Sequence, residues 1–62
     1  MKAKIKFEIQ IPDVGSFSTQ ELYDWLRFEY RDNGDVSGEN PFVIDGCEPE
    51  PILGTFFVEE IY

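Results

Sequence analysis

Sixty-two residues with thirteen acids, five bases, no histidine and one cysteine, Cys47, give a net charge of −8 and a pI near 4.1. This inventory excludes an intramolecular disulfide, a Cys/His zinc site and phosphate binding by clustered lysine and arginine. The length allows one domain, 1–62, and so short a chain buries only about 60% of the surface its unfolded form exposes, so six Phe, three Tyr and Trp25 must supply the core.

Residues 2–11 open the chain with strict alternation. Ala3, Ile5, Phe7, Ile9 and Ile11 fall on one face, and Lys2, Lys4, Lys6, Glu8 and Gln10 on the other. Period two over ten residues predicts a strand with one buried and one wet face, ended by Pro12. The basic start is like that of a signal peptide, but the alternation replaces the apolar run a signal needs. No stretch approaches the roughly 18 apolar residues of a membrane span. With a lone thiol suited to a reducing compartment, a cytoplasmic protein without membrane contact is expected.

A loop over 13–17 leads to Ser18-Thr19-Gln20-Glu21, which has the pattern of a capping box. A helix is predicted from Thr19 to Asp32, with Phe17 placed to staple onto Leu22. Asn33-Gly34 is its stop, Gly34 taking the left-handed conformation. The segment 33–40 is polar and turn-rich. Pro41 and Phe42-Val43-Ile44 start a short second strand, ended by Asp45-Gly46. That pair suits a tight hairpin turn, although the two prolines of Cys47-Glu48-Pro49-Glu50-Pro51 favour a longer extended loop. Ile52 to Tyr62 forms the third strand, with Gly54 marking a bulge or close contact.

The expected fold is α+β, a small β-α-β-β domain with one helix packed on a three-stranded sheet. The first connection is a right-handed crossover, and strands two and three pair antiparallel. Lys2, Lys4 and Lys6 on the wet face should meet some of Asp45, Glu59 and Glu60 across strands.

The helix carries the most information. At about 100° per residue, Leu22, Tyr23, Leu26 and Tyr30 form a core-facing stripe. Trp25 and Phe28 fall on a second patch interleaved with Glu21, Glu29 and Asp32. Two placements fit that patch: cover by the 33–51 segment, or exposure as an aromatic anchor ringed by carboxylates, the composition of an interface hot spot. The second places Trp25 at least partly in solvent.

Catalytic chemistry finds little footing. Without histidine, neither Cys47 nor any serine has an evident base, and the Glu48/Glu50 and Glu59/Glu60 pairs lack the opposed geometry of an acid–base cleft. Asp32-Asn33-Gly34-Asp35 with Glu39 departs from a calcium loop, because Gly34 falls at position 3 and Val43 at position 12. Glu48 beside Cys47 disfavours the thiolate. No enzyme activity, cofactor or metal is expected.

Charge placement gives the functional expectation. Residues 32–62 hold eight acids and no base. A small acidic protein-binding module that occupies a basic surface of a partner fits this pattern. Its carboxylates stand in for phosphates on a nucleic-acid-binding protein, as in phage-type and anti-CRISPR-like inhibitors, an analogy of size and charge alone. Glu21, Trp25, Phe28, Glu29 and Asp32 would anchor the contact, and Asp35, Glu39, Glu48 and Glu50 would supply the field. The alternative is a structural, self-associating protein, a homodimer whose acidity serves only solubility.

Overall fold

A computed structural model describes all 62 residues. The chain is α+β, in the order β1 (Ala3–Lys6), β2 (Ile9–Gln10), α1 (Thr19–Glu29), α2 (Pro41–Ile44), β3 (Glu50–Pro51) and β4 (Phe57–Ile61). The three-stranded sheet expected from the sequence is replaced by two antiparallel pairs, β1 with β4 and β2 with β3. There is accordingly no right-handed crossover. The first strand pairs with the last.

The alternating segment 2–11 runs antiparallel to 50–62 along most of its length, in two pieces. Lys2 and Tyr62 exchange backbone hydrogen bonds at one end, and Gln10 faces Glu50 at the other. Residues 52–56 bulge out between the pieces and are held by Thr55. Its hydroxyl accepts from the Glu8 amide at 3.0 Å and donates to the Ile52 carbonyl at 2.7 Å. The Ile52 amide in turn donates to the Glu8 carbonyl at 2.8 Å. The third strand is thus shorter than the predicted 52–62, and Glu50-Pro51, read as loop, forms a two-residue edge strand where a missing donor is tolerated.

In β4 the sequence Val58-Glu59-Glu60-Ile61 breaks period two, and the backbone answers with a bulge. Lys4 faces Glu60, but Ile5 faces Val58, leaving Glu59 as the extra residue. The insertion shifts the strand's phase. Val58 and Ile61, three apart, therefore share the face of Ala3 and Ile5. Phe56 extends this face by stacking on Phe7, with ring centroids 6.2 Å apart. The opposite face carries Lys4–Glu60 and Lys6–Glu59 ion pairs at 3.9 and 3.3 Å, with Lys6 also over the Phe57 ring.

Helix α1 begins as predicted. The Ser18 hydroxyl accepts from the Glu21 amide, and the Glu21 carboxylate accepts from the Ser18 amide at 2.8 Å. It ends three residues before the predicted Asp32. Arg31, not Gly34, takes the left-handed conformation, at φ +62°. The Asp32 amide donates to the Arg27 carbonyl and the Arg31 amide to the Phe28 carbonyl, which is the Schellman arrangement.

The predicted strand at Phe42-Val43-Ile44 is instead helix α2. Asn40 caps it, its side-chain oxygen accepting from the Phe42 amide at 3.0 Å, and Pro41 occupies the first turn, where its missing N–H costs nothing. The Cys47 amide returns to the Phe42 carbonyl and the Gly46 amide to the Val43 carbonyl, with Gly46 at φ +64°. Both helices thus close by the same motif. Asp45-Gly46 is a helix exit rather than a hairpin turn.

Packing of the two helices makes the core. Trp25 and Phe42 are the only apolar side chains with no exposed surface, stacked at 4.6 Å. Phe17, the residue before the helix cap, closes edge-on against Phe42 at 5.1 Å. Asn40 is buried with them, and its side-chain amide donates to the Glu21 carbonyl at 2.9 Å, tying α2 to α1. The indole N–H of Trp25 is buried without an acceptor. The helix is therefore rotated from the predicted orientation. Tyr23 and Tyr30 of the expected core stripe are about half exposed, while Leu22 and Leu26 are half-buried.

Candidate functional site

Helix α1 and the 33–51 segment position the residues singled out from the sequence. Trp25 is withdrawn from any surface, because α2 covers the side of α1 that was free to be an anchor. Phe28 remains on the surface, about 40% exposed, one residue before the half-buried Glu29. Together with Arg31, Asn33 and Gly34 they line an open depression of about 350 Å³ beyond the C-terminal end of α1.

A second depression, of about 240 Å³, lies beside the N-terminal half of α1. Its walls are Glu21, Asp24, Val36, Ser37, Glu39 and Asn40. Three carboxylates and no base line it. Glu21 is committed on one oxygen to the Ser18 amide, and Asp24 accepts from the Gln20 side chain at 2.8 Å. Glu39 is exposed, and its carboxylate has no partner within the chain. The fold thus brings Glu21 and Glu39, eighteen residues apart in the sequence, to one wall with Asp24. Asp24 was not singled out from the sequence, although its position three residues after Glu21 places it on the same side of a helix.

Asp32 is the second predicted anchor that the structure reassigns. Its carboxylate accepts from Arg27 Nε at 2.6 Å. That hydrogen bond, and then the Asp32 charge, hold the Arg27 guanidinium protonated more firmly than usual. Arg27 also lies over the Tyr23 ring at 5.4 Å. Asp35, Glu48 and Glu50, by contrast, are exposed and enter no ion pair. Arg31 likewise enters none. Its unusual backbone could be inferred only by noticing that no glycine sits where the helix must stop.

Charge is therefore divided by region. The β1–β4 ribbon, with Lys2 at its end, carries Lys2, Lys4, Lys6, Glu59 and Glu60, largely paired with each other. Residues 8–50 carry eleven acids against Arg27 and Arg31, and Arg27 is spent on Asp32. Such a surface can accept hydrogen bonds from lysine and arginine. It holds no group of three or more His, Cys, Asp or Glu placed to bind a metal ion, and Cys47 is a half-buried free thiol. No helix is long and apolar enough to cross a membrane. Neither a protein-family model, nor a curated protein sequence, nor a solved structure matches this chain.

Proposed function

We propose that the chain is a protein-binding module whose acidic body, residues 8–50, occupies a basic surface of a partner protein, of the kind that otherwise binds nucleic acid. The reading rests on one observation. Lys4 and Lys6 are held on the ribbon by Glu60 and Glu59, so the body's carboxylates, Asp32 with its Arg27 partner apart, have no basic side chain paired with them. Glu39, with Asp24 and Glu21 beside it, and Asp35, Glu48 and Glu50 supply the field. Phe28 and Glu29 form the rim where apolar and charged contact meet. Trp25 and Asp32 act from behind, one as core and the other as the partner of Arg27.

The test is capture by the immobilised full chain from a bacterial lysate at low and high salt, with identification of what is retained. A basic protein held at low salt and released at high salt is the expected result. Charge reversal at Glu29, Glu39 and Glu48 to lysine should abolish the capture and leave the Trp25 emission unchanged. Capture that ignores both salt and these substitutions would end the charge-mimicry reading.

A further inference from the structure

We propose that the β1–β4 ribbon binds a second copy of this chain, face to face, through Ala3, Ile5, Val58 and Ile61. The first reason is mechanical. Neither helix packs on β1 or β4; Phe7, just after β1, meets the ring of Tyr30, the cap residue that follows α1, edge-on at 5.6 Å. A two-stranded ribbon is marginal on its own. It needs a further strand or a covering layer on its apolar face.

The second reason is the bulge at Glu59. Without it Glu60 would share a face with Val58, and the apolar strip would be broken by a carboxylate. With it, Ala3/Ile61, Ile5/Val58 and Phe7/Phe56 form a continuous strip. Ile5 and Val58 are nevertheless 45% and 44% exposed, and Ile61 64%. The backbone irregularity thus builds an apolar face that, beyond its Phe7 end where Tyr30 packs, no helix of the same chain covers.

The third reason selects the occupant. Two copies at −8 each repel. The ribbon is the one region where bases outnumber acids, so it is where two copies meet without acid facing acid. The basic partner that the body attracts gains nothing from a strip backed by three lysines. Pairing by edges is disfavoured in a twofold arrangement, since β1 would set lysine against lysine and β4 glutamate against glutamate. Face-to-face packing turns those charges outward. At roughly 3.3 Å per residue the strip is about 17 Å long and two strands wide. That is smaller than the roughly 800 Å² per partner of a standard interface, so a dimer that dissociates on dilution is expected.

Analytical ultracentrifugation of the full chain over a concentration series, at low and at high salt, tests this. A monomer–dimer equilibrium that shifts towards dimer as salt rises is expected, because salt screens the repulsion between bodies and leaves the apolar contact intact. Capture of a basic partner moves the opposite way with salt, so the two proposals fail separately. Ile5→Glu should be monomeric with unchanged Trp25 emission. Should that variant unfold, Ile61→Glu, at the ribbon's exposed end, replaces it. A wild-type chain that stays monomeric at every concentration and salt overturns the proposal, as does a dimer that survives both substitutions. Glu39→Lys, on the body, should leave the dimer in place.

Discussion

The helical body and the ribbon are built from similar apolar residues and end in opposite situations. In the body, Trp25 and Phe42 stack out of contact with solvent, and Asn40 is buried among them with donor and acceptor both used. In the ribbon, Ile5, Val58 and Ile61 line up in register and stay exposed. The difference lies in layering. A helix can bury a stripe against one turn of another helix, whereas a two-stranded ribbon has no second layer unless one is brought to it. Stability therefore concentrates in the body, and capacity for association in the ribbon.

The comparison can be broken most forcefully at the stack. Phe42→Ala should cost about 3–5 kcal/mol, the range for deleting a buried aromatic, and unfold the body in a urea titration followed by Trp25 emission. Trp25→Phe keeps an aromatic on Phe42 and removes an N–H that has no acceptor, so its cost in the same titration, followed by circular dichroism, should be much smaller. Asn40→Ala removes a helix cap and the link to the Glu21 carbonyl together. A loss of about 2 kcal/mol is expected, with Asn40→Asp recovering part of it by keeping the cap.

Arg31→Gly should work in the other direction. It relieves a left-handed backbone that a side chain disfavours and should stabilise by about 1 kcal/mol, read as a higher urea midpoint with unchanged slope. The smallest effect belongs to the ribbon. Lys4→Ala breaks an ion pair between two groups that are each more than half exposed, and the change in stability should stay below about 0.5 kcal/mol. A loss as large as that of Asn40→Ala would mean that the ribbon carries more of the fold than its exposure implies.

Local chemistry was legible in the sequence, and long-range partnership only in part. Ser18 and Glu21 marked the start of α1 correctly, because both halves of a capping box lie within four residues. Its end was misjudged because Gly34 is the conventional stop and the chain uses Arg31 three residues earlier. Helix α2 was missed although Asn40, Pro41 and Gly46 are a cap, a first-turn proline and a left-handed exit in the correct order. The β-branched Val43 and Ile44 argued for a strand, and a four-residue apolar run fits either. Of the two placements open to the Trp25 patch, cover by the 33–51 segment holds for Trp25, through Phe42, and exposure holds for Phe28. The partly exposed anchor at Trp25 fails because residues 42–44, assigned to a sheet, form instead the helix that lies on it. The wet face of 2–11 did announce that lysines would meet Glu59 and Glu60 across strands, as Lys4 and Lys6 do; what no local signal announces is that β1 meets β4 directly, as an antiparallel pair without a third strand.

That same pairing orders the events of folding. The Trp25–Phe42 contact closes a short loop, whereas joining Lys2 to Tyr62 requires almost the whole chain to be gathered first. Closure entropy grows with the length enclosed, and contacts distant in sequence form late. The helical body is therefore expected to form first, and the ribbon, which joins the two chain ends, to close last. An element that forms last without a covering layer also opens first. Amide exchange at Ala3–Lys6 should accordingly report local fraying, while exchange at Trp25 and Leu26 waits for the whole molecule to unfold.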